Sequence, residues 1–202
     1  MRAQRSADSR ALILDAAVAC LVEDGYAGAS TLAVQARAGV SRGRLLHHFP
    51  SRAELLVAAA QHLAGTSLVA VQERAVRLMA DQPPGPERVE RAIELLWATF
   101  HEPPFWAALE LWTAARTDPE LRAALRSEEP RLRRAIRGVA DGIWGPEVSA
   151  APRYAELCEL LFTSMRGVAL VYAFEERSPA TDPHLALWKR LAGRYLYGAP
   201  DR

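Results

Sequence analysis

Apolar residues recur at helical spacing along most of this chain, and short turn-forming segments separate the helices that they predict. Residues 9–24 show the i, i+3, i+4, i+7 pattern of one buried helix face, with apolar positions at Ile13, Ala16, Ala17, Cys20 and Leu21. Further helices are predicted near 31–38, 41–49, 51–79, 87–101, 104–116, 119–143, 152–176 and 182–197. Strand patterns are nearly absent, so the predicted fold class is all-α.

Residues 31–49 predict two short helices joined by a tight turn. Gly39 stands in the turn, where glycine adopts a left-handed conformation at little cost. Ser41 follows as an N-cap, and Val40 and Leu45 have the spacing of a hydrophobic staple, which fixes how the second helix enters. Two helices held at a steep angle by such a turn are a helix-turn-helix.

The second of these helices carries its basic residues on the side opposite its apolar residues. At about 100° per residue, Leu45 and Phe49 fall on one face, and the other face holds hydrogen-bond donors and one glycine. No Asp or Glu occurs between Asp24 and Glu54. Such a helix suits the major groove of DNA, where Arg bonds guanine bidentately. The alternative is a solvated basic helix packed in an all-helical protein.

The candidate DNA contacts include this outer face and the residues that flank it. Thr31, at the start of its helix, and Arg52, in the first turn of the next one, are placed to bond phosphates. The full predicted set is Thr31, Arg42, Gly43, Arg44, His47, His48 and Arg52. Residues 1–9 are predicted to form a mobile arm, from which Arg2 and Arg5 are candidates for the minor groove. A disordered terminus without contacts is the alternative for that arm.

These motifs resemble those of the tetracycline-repressor (TetR) family of bacterial transcriptional regulators. The matching runs are ILDAAVACLVEDGYAGAS at 13–30 and AGVSRGRLLHHFPSRAELL at 38–56. Several motifs agree in register over about the first 60 residues, which makes the resemblance specific. Further along the chain, the ligand-binding domains of the family are more weakly resembled by residues 109–125, LELWTAARTDPELRAAL.

Three residues differ from the family pattern. Leu46 stands where the family usually has a tyrosine that helps to hold a phosphate. Gln35 stands where it usually has a small residue, four positions before the turn glycine. Arg44 stands where a threonine is frequent, and it adds a candidate contact to a base or a phosphate.

The resemblance implies a three-helix helix-turn-helix DNA-binding domain at 1–50 and a larger helical domain at 51–202 for ligand binding and dimerisation. A long helix from about 51 joins the two domains. It also implies a homodimer formed through 152–197 that represses from a palindromic operator and is released by a small apolar or amphipathic effector. The predicted effector lining is Trp97, Phe100, His101, Phe105, Trp106 and Trp112. Ordinary core packing is the alternative for each of these residues.

Composition and charge limit the other classes of protein. Half of the 202 residues are hydrophobic. The net charge of the chain is only +1, so the positive charge that would attract DNA is found in the acid-free segment between Asp24 and Glu54 and not in the chain as a whole. Cys20 and Cys158 are predicted to be buried free thiols in a reducing cytoplasm. No uninterrupted apolar run reaches the ~18 residues of a membrane span, and the N-terminus is polar and basic. These features predict a cytoplasmic protein without a membrane segment.

The sequence shows no metal-ligand spacing, nucleophile motif, phosphate loop or catalytic carboxylate pair. We therefore expect neither an enzyme nor a cofactor or metal site. Two rival interpretations remain. One is a helical carrier or enzyme for a hydrophobic small molecule, in which the basic helix is incidental. The other is a DNA-binding regulator without a small ligand, controlled by a protein partner or by its own abundance.

Overall fold

Helices form nearly all the regular structure in residues 2–198, the part of the chain that the computed structural model describes, with side chains described from residue 6 onward. They are α1 (Arg2–Gly28), α2 (Thr31–Ala38), α3 (Arg42–His48), α4 (Arg52–Met79), α5 (Pro86–Thr99), α6 (Pro103–Ala114), α7 (Pro119–Trp144), α8 (Pro146–Ser149), α9 (Tyr154–Ala169) and α10 (Pro183–Tyr197). Two 3₁₀ turns occur at Leu170–Ala173 and Pro179–Thr181. No strand occurs among these residues, which confirms the all-α class.

The first helix is longer than its apolar pattern predicts. α1 begins at Arg2, so the prediction of a mobile arm over 1–9 is wrong. That segment holds neither Gly nor Pro, and nothing in it stops a helix. The side chains of Arg2 and Arg5 lie outside the described residues, and their minor-groove contacts stay predictions. At its other end, the helical backbone is interrupted at Gly25, which has a φ of 67°.

The helix-turn-helix forms as its local signals predict. The Ser30 hydroxyl accepts a 3.1 Å bond from the Ala33 N–H at the start of α2. The Ser41 hydroxyl accepts a 3.3 Å bond from the Arg44 N–H at the start of α3. Between the two helices, Gly39 is left-handed, with φ 64° and ψ 30°. The predicted Ser41 cap and the glycine turn are thus confirmed.

The described residues fall into two compact units, each built from two stretches of the chain. The first unit holds residues up to Ser67 together with Pro103–Arg134. The second holds Leu68–Glu102 together with residues from Ala135 onward. Helices α4 and α7 therefore each contribute to both units. The predicted domain boundary at residue 50 stays a prediction.

The core of the first unit joins the helix-turn-helix to helices far along the chain. Leu45 of α3 is 1% exposed and belongs to one apolar cluster with Leu56 of α4, Leu111 of α6 and Leu121 of α7. Full burial of a leucine side chain stabilises a fold by about 1.5–3 kcal/mol. Helices α6 and α7 therefore contribute to the packing that holds α3 in place.

A proline inside the helix predicted at 119–143 favours a kink or a split at Pro130, but α7 continues through this residue. Proline removes one hydrogen bond, to the carbonyl four residues earlier, at Arg126. Both Pro130 and Arg126 are exposed, so water can donate to that carbonyl instead. The prediction of a split helix is wrong because the lost bond lies on the solvent side.

Tryptophans dominate the core of the second unit. Trp97, Trp144 and Trp188 are each 2% exposed or less. The Trp188 indole N–H donates to the Ser164 hydroxyl at 2.9 Å, so its polar atom is satisfied within the core. Cys158 in this unit is buried and free, as Cys20 is in the first unit, which confirms the prediction for both thiols.

The helix predicted at 152–176 ends earlier, at Ala169, and a 3₁₀ turn follows. In that turn the Tyr172 hydroxyl donates to the Asp182 carboxylate at 2.7 Å. Asp182 also caps α10 by accepting a 2.8 Å bond from the His184 N–H. The tighter turn thus connects the end of α9 to the start of α10, a contact that helical periodicity does not reveal.

Helix α4 is long and apolar enough, by length and composition alone, to cross a bilayer, and it is the one such helix among the described residues. Its sequence does not read as one apolar run, because the polar residues Gln61, His62, Thr66 and Ser67 interrupt it. Leu55, Leu56 and Ala59 of this helix are fully buried in the core of the first unit. Core helices of soluble proteins meet the same criterion, so this is weak evidence for a membrane segment.

The break at Gly25 generates a stability prediction with a matched control. An added methyl group at Gly25 would lie 2.7 Å from the Glu110 carboxylate, in a left-handed backbone conformation. We expect Gly25→Ala to lower the free energy of unfolding by about 1–3 kcal/mol. In the control Gly65→Ala, the new methyl meets no atom within 4 Å inside α4, and we expect a gain of about 0.5–1 kcal/mol. Urea denaturation measures the free energy of unfolding of both variants. An equal change in the two would contradict the claim that position 25 requires a glycine.

Candidate nucleic-acid interface

Helix α3 has one buried side and one exposed side. Leu45 and, directly after the helix, Phe49 are buried at 1% and 3% exposure. Their burial turns the opposite side of the helix toward solvent. We give the name outer face to the three exposed residues on that side, Gly43, Arg44 and His47, together with Arg42, which is exposed in the first turn of the helix.

The outer face is open and positively charged. An added methyl group at Gly43 would meet no atom within 4 Å, so another surface can approach the backbone closely there. Arg37, also in the acid-free segment, instead bonds the Glu23 carboxylate at 2.6 and 2.7 Å, and its charge is balanced locally. The charge of the outer face therefore comes from Arg42 and Arg44, whose guanidinium groups suit guanine edges and phosphates.

His48 is half-buried beside the outer face. Burial lowers the pKa of His48 below its ordinary value, and the charges of His47, Arg44 and Arg10 lower it further. The His48 ring is therefore neutral at pH 7, and it packs on the Phe49 ring with centroids 6.4 Å apart. A neutral imidazole can donate one hydrogen bond and accept one. The DNA contact assigned to His48 stays a prediction.

Thr31 is the first residue of α2 and is half-buried. The first N–H groups of any helix lack partners within the helix. The Ser30 hydroxyl already accepts from Ala33, which leaves the earlier N–H groups of α2 to other acceptors. A phosphate oxygen suits that position. This phosphate contact stays a prediction.

The Arg52 side chain is engaged inside the protein. Its guanidinium donates to the carbonyl oxygen of Ala29 at 3.1 Å and to that of Tyr26. The same group lies 4.1 Å from the centroid of the Tyr26 ring, in cation–π geometry. Arg52 therefore fixes the end of α1 against the start of α4. Its predicted phosphate contact would have to use the donors that remain.

Tyr26 has long-range partners that no local pattern in the sequence reveals. Its backbone N–H donates to the Glu110 carboxylate, and its hydroxyl donates to Asp118 at 3.0 Å. Burial raises the pKa of Tyr26, and the bond to Asp118 raises it further. We call Gly25, Tyr26, Arg52, Glu110 and Asp118 the Tyr26 corner. No local signal in the sequence pairs residues that are 84 and 92 positions apart.

The six predicted effector residues belong to different compact units. Phe105, Trp106 and Trp112 lie in the first unit and Trp97, Phe100 and His101 in the second. In the second unit, Trp97 packs against His101 at 4.4 Å, Trp188 at 4.8 Å and Tyr172 at 5.8 Å between ring centroids. The rings thus fill the space around Trp97. As an effector lining, the six residues stay a prediction, but this half is occupied by packed side chains.

A cavity of about 230 Å³ lies elsewhere in the second unit, between the C-terminal parts of α4 and α7. Its wall comprises Gln72, Ala75, Val76, Met79, Ala80, Arg88, Gly138, Val139, Gly142 and Ile143. Arg88 donates to the carbonyl oxygens of Met79, Gln82 and Trp144 at 3.0–3.2 Å. These bonds occupy its donors, and no carboxylate lines the cavity. The remaining wall is mainly apolar and suits a small neutral molecule.

The chain is similar in sequence to known bacterial regulatory proteins. Residues 13–59 match the sequence profile described as bacterial regulatory proteins, tetR family. The chain is 29% identical over 169 residues to the HTH-type transcriptional regulator CymR of Pseudomonas putida, covering 84% of this chain and 81% of that one. It is 32% identical over 131 residues to the HTH-type transcriptional repressor AcnR of Corynebacterium efficiens, covering 64% of this chain and 63% of that one.

Solved structures share the fold. A TetR-family transcriptional regulator from Mesorhizobium loti superposes with a TM-score of 0.66 at 18% identity, covering 93% of this chain and 94% of that one. The transcriptional regulator FadR of Bacillus subtilis, solved in complex with stearoyl-CoA, has a TM-score of 0.58 at 16% identity. The superposition covers 93% of this chain and 98% of that one. At these identities the similarity establishes the fold.

The contacts of Arg52 generate a prediction that separates structural from exposed arginines. Arg52→Ala removes charged hydrogen bonds to two carbonyl groups and the contact with the Tyr26 ring. We expect it to lower the free energy of unfolding by about 2–3 kcal/mol. Arg44→Ala, on the exposed outer face, should change it by less than about 0.5 kcal/mol. Urea denaturation measures both variants, and a destabilisation of the same size in each would contradict these roles.

Proposed function

This chain belongs to the TetR family of bacterial transcriptional regulators, and on that premise we propose that it is a homodimeric repressor. In this proposal it binds a palindromic operator in double-stranded DNA and leaves it when a small apolar effector binds. The protein would act in the cytoplasm, where bacterial DNA lies, and we assign it no catalytic role.

The outer face of α3 carries the proposal for DNA binding. It combines two exposed arginines, one exposed histidine and a glycine on a helix whose other side is anchored in the core. We assign Arg42, Arg44 and His47 to base edges and phosphates in the major groove, with Gly43 allowing the helix to approach closely. His48 and Thr31 are assigned to supporting contacts at the edges of this surface.

Exposed apolar side chains support the proposed dimer. Leu160, Leu170, Phe174, Leu187 and Tyr197 are 41–76% exposed and lie within the last two helices and the segment between them. A second copy of the same segment, 152–197, would cover them in a two-fold symmetric interface. Two-fold symmetry then matches a palindromic operator, with half-sites about 34–36 Å apart, one helical turn of DNA.

The cavity beside Arg88 is our proposed effector site, in place of the aromatic lining that the sequence suggested. Its volume is about 230 Å³. An apolar cavity of about 150 Å³ already accepts benzene in another protein. Because the donors of Arg88 already bond carbonyl groups, the wall offers few free donors to an anionic ligand. The wall includes the C-terminal part of α4, and the N-terminal part of the same helix belongs to the first unit. Helix α4 is therefore our candidate for transmitting effector binding to the DNA-binding residues.

DNA binding can be tested with the purified protein and the intergenic DNA flanking its own gene. We expect binding that survives excess random DNA and weakens steeply between 50 and 200 mM salt, by about 10³-fold or more if about six phosphates are contacted. Arg44→Ala should weaken it by about five-fold or more per half-site, since one lost base contact costs about 1–3 kcal/mol. Arg126→Ala, an exposed arginine on α7, is the matched control and should bind normally.

Binding of the wild-type protein to many unrelated genomic fragments no better than to random DNA would contradict the regulator. That result would favour a carrier of small hydrophobic molecules.

The effector site can be tested with toluene as a small neutral probe. We expect toluene to raise the Tm of the free protein and to lower its affinity for the operator, because it binds one conformation preferentially. Gly142 lines the cavity, and an added methyl group there meets no atom within 4 Å. Gly142→Leu should fill the space and abolish both responses, whereas Gly65→Leu should retain them. Unchanged Tm and affinity with toluene and with benzene would count against this site.

A further inference from the structure

Leu46 is a large apolar side chain exposed at the edge of the outer face. It is 40% exposed, whereas Leu45 and Phe49 already occupy the buried positions of this helix. Residues three and four apart are neighbours on a helix surface, so Leu46 borders Gly43 and Arg42. Leu46 therefore belongs with the side of α3 that we propose faces DNA.

The surroundings of Leu46 allow its methyl groups to reach deep into a groove. No atom lies within 4 Å of a methyl group added at Gly43, so a base edge can approach the helix backbone beside Leu46. Arg42 and His47, its exposed neighbours on α3, offer hydrogen-bond donors but no apolar surface. Leu46 is thus the apolar element of a surface that is otherwise polar.

The major groove offers one prominent apolar group to such a side chain, the C5 methyl of thymine. A leucine has no donor or acceptor, so it cannot bond a phosphate as the tyrosine frequent at this position of the family does. Resting on the proposed function, we infer that Leu46 is a specificity-determining residue that packs on the C5 methyl of one thymine in each operator half-site. Cytosine lacks this methyl group, so the contact selects thymine there.

The size of the effect follows from the burial of one methyl group. Removing that group costs about four-fold in affinity for one half-site, the ratio expected for one buried methyl. Two half-sites read by a symmetric dimer lose about fifteen-fold together, because distant contacts add independently.

The experiment replaces thymine by deoxyuridine, which removes only the C5 methyl. The operator is first selected from random double-stranded DNA by the wild-type protein, and each thymine is then replaced symmetrically in both half-sites. One symmetric replacement should weaken wild-type binding about fifteen-fold. Leu46→Ala should bind the thymine and uracil operators equally. Leu32→Ala, which alters a 71% exposed leucine on α2, is the matched control and should keep the full loss.

Two results would overturn the inference: no uracil replacement weakens wild-type binding, or Leu46→Ala shows the same loss as the wild type. The wild-type measurements need no variant, so a folding defect cannot obscure them. Failure to select any operator would instead contradict the proposed function itself, which keeps the two failures distinct.

Discussion

The burial of Leu45 and Phe49 determines what α3 can present to DNA. A helix of seven residues is not stable alone in water, since isolated helices shorter than about 12–15 residues are marginal. Its order therefore depends on this apolar contact and on the Ser41 cap at its start. The same contact orients the arginines, the glycine and Leu46, because every side chain of a helix rotates with its backbone. The orientation of the side chains that we propose contact DNA thus depends on the packing of α3.

The Tyr26 corner extends that dependence to helices outside the helix-turn-helix. Arg52 bonds the carbonyl groups at the end of α1, while Glu110 of α6 and Asp118 before α7 bond Tyr26. Gly25 makes room for the Glu110 carboxylate by lacking a side chain. The apolar core of this unit likewise includes Leu45 of α3 together with Leu111 of α6 and Leu121 of α7. The position of α3 in the first unit is consequently set by residues from both of its stretches.

Local signals were predictable from the sequence, and long-range partners were not. The caps at Ser30 and Ser41 and the left-handed Gly39 depend on residues within four positions, so the pattern of residue types specifies them. The pairing of Tyr26 with Asp118 depends on how distant helices pack, which periodicity does not encode. The cavity shows the same limit. Its wall contains two glycines and several small apolar residues, while Trp97, one of the residues that suggested a pocket, packs against Phe100 and His101.

The central claim is that α3 enters the major groove of an operator in each half of a dimer. Dimethyl sulfate protection tests it most directly, because this reagent methylates guanine N7 in the major groove and adenine N3 in the minor groove. Helix α3 in the major groove predicts two patches of protected guanine N7, about 34–36 Å apart along the operator, with adenine N3 still reactive within those patches. Protection of adenine N3 with guanine N7 fully reactive would contradict the claim.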